Sequence, residues 1–102
     1  MPDTFELLAD PTRRRLLEAL RESDHSVGAL VERLRVSQPA VSKHLRILRE
    51  AGLASVRRDA QRRIYRLDPD GLRELDAWLE PFRAAWEERL DALEDVLSSM
   101  ED

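Results

Sequence analysis

Amide, hydroxyl and cationic groups recur on one side of a short segment, VSQPAVSKHLRILREAGL. At about 100° per helical residue, Gln38, Ser42 and Arg46 fall within about 80° of one another, with Pro39 beside Arg46. A glutamine can bond adenine through two hydrogen bonds, an arginine can pair with guanine or phosphate, and a serine can bond either. We therefore expect Gln38, Pro39 and Ser42 to face bases, and Lys43 and Arg46 to lie nearer to phosphates.

The same segment has the start and the apolar face of a helix. Ser37 is a side-chain cap before it, and a glycine follows its last residues as a C-terminal stop. Val41, Leu45 and Leu48 fall together on the opposite side, which predicts a recognition helix over residues 37–51. A solvated surface helix is the alternative interpretation, and the helix and turn before it and the basic segment after it favour DNA contact.

Residues 53–67 predict a basic β-hairpin, the wing beside that helix. The runs LASVRR and RRIYRL are rich in β-forming residues, but no Asn-Gly or Asp-Gly separates them, so the strand register stays open. Four arginines crowd the tip with only Asp59 as a counter-charge. Such a cluster favours contact with a polyanion. The alternative is an edge strand whose charges prevent it from pairing with other sheets. The predicted DNA-binding residues of helix and wing are Ser37, Gln38, Pro39, Ser42, Lys43, Arg46, Arg57, Arg58, Arg62 and Arg63.

The rest of the chain is helical in pattern. A first helix spans about residues 4–9, Asp10 caps a second, Ser26 caps a short third, and a long last helix covers about residues 70–99. Pro81 lies inside the last helix and is expected to kink or split it. We predict a mostly α fold with a small β-hairpin, a winged helix-turn-helix with a long C-terminal dimerisation helix.

The last helix carries more apolar side chains than packing against the rest of one small chain requires, which favours a dimer over packing within one chain. We expect one domain over residues 1–102, with a DNA-binding core at about 10–69 and dimerisation through about 4–9 and 70–99. The predicted dimer-interface residues are Phe5, Leu8, Trp78, Leu79, Phe82, Trp86, Leu90 and Leu93.

Charge is divided unevenly along the chain. Residues 1–69 have 14 Lys and Arg against 10 Asp and Glu, whereas residues 70–102 have 3 against 11, so a basic body precedes an acidic last helix. A cytoplasmic protein is expected, because no apolar run is long enough for a signal peptide or a membrane span.

The segments LLADPTRRRLLEAL, VGALVERLRVSQPAVSKHLRILREAGLASVRR and RRIYRLDPDGL closely resemble the ArsR/SmtB-type bacterial transcriptional regulators. The resemblance covers about residues 5–72, most of the chain. It implies a homodimeric winged-helix repressor that binds a palindromic operator in double-stranded DNA and regulates its own expression. The first and last helices would then form the dimer interface.

Family members that sense metals or arsenicals usually carry Cys or Cys/His ligands before the turn, or His with carboxylates on the last helix. This chain has no cysteine, and its last helix has carboxylates but no histidine, so we predict no metal site and no cofactor. We expect His44 to pack and hydrogen-bond beside the apolar side of its helix, and His25 to lie at the surface. The inducer stays unknown.

Two other functions remain as alternatives. The acidic, aromatic last helix suits a winged-helix adaptor that binds proteins without specific DNA binding, and a metal or metalloid sensor with an unrecognised site is the third hypothesis. No Ser/His/Asp arrangement or phosphate-binding loop is present, so we do not expect an enzyme.

Overall fold

The helices and strands follow one another in the predicted order. A computed structural model describes residues 3–101, so residues 1, 2 and 102 of the predicted domain lie outside the described part. The elements are α1 (Thr4–Leu8), α2 (Pro11–Glu22), β1 (His25–Ser26), α3 (Val27–Leu34), α4 (Gln38–Glu50), β2 (Ala54–Asp59), β3 (Arg62–Leu67), a 3-10 turn (Pro69–Leu72) and α5 (Arg73–Met100).

Side-chain caps begin the helices of the DNA-binding core where the sequence predicts them. The Asp10 carboxylate accepts hydrogen bonds from the backbone amides of Thr12 and Arg13, at 2.8 and 3.2 Å. Ser26 and Ser37 each accept one bond from the amide three residues later, at 3.2 and 3.4 Å. These bonds satisfy amides that have no partner within their helices, so each cap fixes the first turn of its helix.

The contribution of the Asp10 cap to the free energy of unfolding is expected to depend on pH. The hydrogen bond from the Arg13 amide holds the pKa of Asp10 below its ordinary value, despite an opposing contribution from burial. At neutral pH, Asp10→Ala is expected to lower the free energy of unfolding by about 1 kcal/mol, the usual value of such a cap. The native carboxylate binds protons less readily than the unfolded one, so its contribution is full above the unfolded pKa and declines as pH falls through the folded pKa.

Denaturant titrations of the wild type and Asp10→Ala at several pH values measure this difference. It should be largest near pH 7 and shrink below about pH 4, where carboxylates take up protons. Asp10→Asn is the matched control, because its amide oxygen keeps the cap but does not titrate in this range. A difference between wild type and Asp10→Ala that stays constant into the acid range contradicts the assignment.

The sheet has three strands instead of the two expected in a hairpin. β2 and β3 pair antiparallel, and β1 adds to the other edge of β3 with His25 opposite Tyr65. A two-residue strand has no periodicity, so only its pairing with β3 identifies it. The structure settles the hairpin register that the sequence leaves open: Asp59 pairs with Arg62, which leaves a two-residue turn in which Ala60 has a φ of 58°.

The last helix is continuous, so of the two outcomes expected at Pro81, a kink or a split, the split is wrong. α5 runs unbroken for 28 residues, about 42 Å at 1.5 Å per residue. Pro81 has no amide proton to donate to the carbonyl of Ala77, and its ring crowds that carbonyl. Ala77 is exposed, so its carbonyl can bond water instead. The helix therefore continues on both sides of Pro81.

A single apolar cluster holds the body together and sets the start of α5. Leu16, Leu30, Leu45 and Leu48 are completely buried in it, so α2, α3 and α4 share one core. Gly71 lies against the turn that follows α4, where a Cβ would come within 2.5 Å of the Gly52 carbonyl oxygen and 2.8 Å of the Leu53 side chain. Only glycine allows this close approach, which directs the chain from the wing into α5.

Candidate nucleic-acid interface

The two sides of α4 differ as predicted. Val41, Leu45 and Leu48 have no exposed surface, so they attach the helix to the core. The side chains predicted to contact bases and phosphates are all exposed on the other side: Gln38, Pro39, Ser42, Lys43 and Arg46. The body therefore presents a polar and cationic helix face to solvent, the arrangement that a recognition helix requires.

A groove lies between this helix face and the wing. It has a volume of about 610 Å³ and brings together residues that are up to 38 positions apart in the chain. Its lining residues are Val27, Gln38, Pro39, Ser42, Lys43, Arg46, Arg49, Arg63 and Tyr65. Four of these are cationic and none is acidic, so the groove attracts a polyanion.

Arg49 also lines the groove, although it is not among the DNA-binding residues predicted from the sequence. A signal for it was available, because on a helix it falls only about 20° from Gln38 at 100° per residue. It lies just over three turns further along α4, beyond the N-terminal residues that usually enter a groove of DNA. Its place in the groove wall makes it a further candidate for phosphate contact.

The wing arginines are divided between the two faces of the hairpin. Arg58 stands directly opposite Arg63, and Arg63 lines the groove, so both lie on the face toward α4. Two like charges in direct opposition destabilise a strand pair, so a bound anion would stabilise this one. The groove side of the wing therefore carries two arginines that suit phosphate.

Arg57 and Arg62 lie on the other face of the hairpin. Arg57 pairs with Asp24 at 2.7 Å, and Arg62 lies 4.0 Å from Asp59. The expectation that Asp59 is the only counter-charge at the tip is therefore wrong, because folding brings Asp24 from the segment before β1 against the wing. DNA contact by Arg57 and Arg62 stays a prediction, and Arg57 would have to exchange a carboxylate partner for a phosphate.

Ser37 and His44 have structural roles that the sequence partly indicates. The Ser37 hydroxyl oxygen caps α4, so its hydroxyl proton is the part of the group still free to bond DNA. His44 is half-buried, and its Nδ1 accepts a hydrogen bond from Arg13 Nε at 3.2 Å. The expectation of a packed, hydrogen-bonded histidine is confirmed.

The predicted dimer residues form an apolar surface along α1 and α5. In the single chain no residue of α5 is buried, and Trp78, Trp86 and Leu90 are 54%, 55% and 60% exposed. Phe5 of α1 packs edge-on against Trp78 with ring centroids 5.4 Å apart, and Trp78 contacts Phe82 at 4.7 Å. Leu8 and Leu79 are half-buried beside them, and Leu93 is exposed further along.

The same apolar surface extends beyond the predicted residues. Val96, Leu97 and Met100 are 55%, 51% and 77% exposed, and their spacing continues the stripe to the end of α5. The packing of α1 therefore covers only the beginning of α5, and packing within one chain does not account for this surface.

Between residues 3 and 101, no three His, Asp or Glu side chains are placed to hold a metal ion together. No helix of that part of the chain combines the length and the apolar composition needed to cross a bilayer.

Comparison with known proteins assigns the family. The sequence pattern described as "Bacterial regulatory protein, arsR family" matches residues 10–56. HTH-type transcriptional regulator Rv2034 of Mycobacterium tuberculosis is 40% identical over 96% of this chain and 90% of its own length. The chain belongs to the arsR family of bacterial regulatory proteins. Transcriptional repressor SdpR of Bacillus subtilis is a further relative, 34% identical over 80% of this chain and 91% of its own length.

Solved structures support the same assignment. The crystal structure of a possible transcriptional regulator for arsenical resistance superimposes with a TM-score of 0.73 at 42% identity, over 90% of this chain and 96% of the other. The predicted ArsR family and winged-helix fold class are thereby confirmed. This ArsR-family protein is a DNA-binding transcriptional regulator and not an enzyme, and such regulators typically act as dimers on double-stranded DNA.

Proposed function

We propose that this protein is a dimeric repressor that binds a palindromic operator, including one at its own promoter. The groove between α4 and the wing carries the proposal, because exposed base-bonding groups and four cations line it without a carboxylate. SdpR, a relative along most of the chain, is named a transcriptional repressor. Autoregulation rests on the family resemblance of the sequence.

The proposed DNA contacts divide between base recognition and positioning. Gln38, Pro39 and Ser42 lie in the first turns of α4, which are the residues that enter the major groove in helix-turn-helix proteins. Lys43 and Arg46 follow them along the groove wall and would contact phosphates. The other proposed contacts are Ser37 at the start of α4 and the wing residues Arg57, Arg58, Arg62 and Arg63.

Two-fold symmetry explains the proposed palindrome. A second copy joined through the apolar surface of α1 and α5 would place a second recognition helix about 34 Å from the first, one turn of DNA away. Residues 4–9 and 70–99 would then form the dimer interface, and residues 10–69 the DNA-binding core. The acidic α5 would lie away from phosphate and so help to orient the dimer.

Selection of bound fragments from genomic DNA tests this proposal directly. The expected result is one enriched palindrome, present upstream of the gene for this protein, whose affinity falls steeply as salt rises. Recovery of fragments without a common sequence would contradict specific recognition. A stable complex with another protein and no DNA shift at low salt would instead support the adaptor alternative.

Single substitutions distinguish base contact from phosphate contact. Gln38→Ala is expected to lower operator affinity about tenfold while affinity for scrambled DNA stays the same, because a lost base contact of about 1–3 kcal/mol acts only on the cognate sequence. Arg63→Ala should weaken both DNAs alike and reduce the slope of log affinity against log salt by about 0.9. Fluorescence titrations at several salt concentrations measure both quantities. Identical behaviour of the two variants would contradict the division of roles.

A further inference from the structure

Three consecutive arginines, Arg13–Arg15, lie in the first turns of α2, in the segment LLADPTRRRLLEAL. A run of cations in a DNA-binding body usually indicates contact with phosphate. None of the three lines the groove between α4 and the wing. Each guanidinium instead donates a hydrogen bond to a different helix of the same chain, so the run has another role.

Arg13 bonds the recognition helix itself. Its Nε donates to Nδ1 of His44 at 3.2 Å, and both residues are half-buried. Because Nδ1 accepts, the neutral imidazole carries its proton on Nε2. Asp10 caps the same turn of α2 through the Arg13 amide, so the backbone that carries the guanidinium is held as well. The bond therefore connects α4 with the fixed first turn of α2.

Arg14 and Arg15 bond the carbonyl ends of two other helices. Arg14 Nη1 donates to the Leu8 carbonyl oxygen at 2.7 Å, at the end of α1. Arg15 Nη2 donates to the Leu34 carbonyl oxygen at 3.0 Å, at the end of α3 and directly before the turn into α4. Carbonyls at a helix C-terminus have no partner within the helix and carry partial negative charge, so a guanidinium stabilises them.

We propose that Arg13, Arg14 and Arg15 are positioning residues for DNA recognition, which fix the recognition helix relative to α1 and α3 without touching DNA. α1 packs against α5 through Phe5 and Trp78, so the contacts form a continuous path from the dimer surface to α4. The orientation of both recognition helices on the two half-sites depends on this path. The inference rests on the proposed recognition function of α4.

The roles of positioning and phosphate contact differ in measurable ways. A positioning residue changes how well α4 fits the cognate bases, whereas non-specific binding depends on the number of phosphates neutralised. Arg13→Met removes the donor and the charge but keeps much of the length of the side chain. It is expected to lower the ratio of operator to scrambled-DNA affinity about tenfold, the usual order for a hydrogen bond made by a charged group.

The experiment titrates the full chain with the selected operator and with a scrambled duplex, between about 50 and 200 mM salt. Arg13→Met should reduce the affinity ratio and leave the salt slope unchanged, and Arg13→Lys, which retains a donor, should restore part of the ratio. Arg21→Met, at the other end of α2 and exposed, controls for the loss of one charge. A slope reduced by about 0.9, with both DNAs weakened alike, would show phosphate contact and overturn the proposal.

His44→Leu gives a second test that leaves all three arginines in place. If Arg13 acts through His44, then His44→Leu should lower the affinity ratio as much as Arg13→Met, and the double variant should be no worse than either. This remains informative if Arg13→Met does not fold. Additive effects, or an unchanged ratio, would contradict the proposal. A wild type that does not distinguish operator from scrambled DNA would instead refute the proposed function.

Discussion

Replacing Trp86 by glutamate is expected to produce a monomer that binds the operator about two to four orders of magnitude more weakly. Trp86 lies in the apolar stripe of α5 and is 55% exposed in the single chain. In the proposed dimer interface, a glutamate at this position would have to be buried without a partner, and a tryptophan anchor usually contributes at least about 2 kcal/mol. Without the dimer, the second half-site no longer binds at high effective concentration, which is the larger loss.

Sedimentation and operator titration of the same samples test this expectation. Ala84→Glu is the matched control, because Ala84 is exposed on α5 and lies about 160° from Trp86 around the helix at 100° per residue. The control should remain dimeric with operator affinity unchanged. A Trp86→Glu protein that still sediments as a dimer would show that the interface lies elsewhere. A monomer with full operator affinity would show that dimerisation does not contribute to DNA binding.

Reversing the charge of Arg46 is also expected to have a large effect on operator affinity. Arg46→Glu should lower operator affinity about a hundredfold or more, because it replaces an attraction by a repulsion in a groove with no other carboxylate. Arg46 is exposed and takes part in none of the ion pairs recorded between residues 3 and 101. The melting temperature should therefore change little while DNA binding is lost.

Arg21→Glu is the control for the second substitution. It makes the same change in net charge on an exposed residue outside the groove. Titrations of both variants at equal salt distinguish local repulsion from a change in overall charge, since only the local effect depends on position. Equal losses for Arg46→Glu and Arg21→Glu would contradict the proposed groove. A loss confined to Arg46→Glu would support it.

Much of the helical framework could be predicted because its signals are local. Asp10, Ser26 and Ser37 are caps that bond amides two or three residues away, so their function needs no distant partner. The apolar spacing of Val41 and Leu45 likewise predicts which side of α4 is buried, since helical geometry relates neighbouring turns. The exposed face of α4, and hence most of the candidate site, follows from the same periodicity.

The features that could not be predicted depend on residues that are distant in sequence. β1 exists only because β3 pairs with it, and Arg57 has a carboxylate partner only because Asp24 lies 33 positions earlier against the wing. From the sequence, Pro81 is expected to kink or split α5, because propensity alone disfavours a proline there. The exposed position of the helix lets water bond the carbonyl left without a partner, which the local rule does not take into account.

The sequence by itself determined the helix order, the caps, the two-sided recognition helix and the separation of a basic body from an acidic helix. These follow from spacing and charge along the chain. Only the tertiary structure decided which cations line the groove and which are committed to internal hydrogen bonds. Arg63 and Arg13 are the same type of residue, and the fold gives them different roles. β-strand alternation turns Arg63 toward α4, whereas packing of α2 on α4 brings Arg13 to His44.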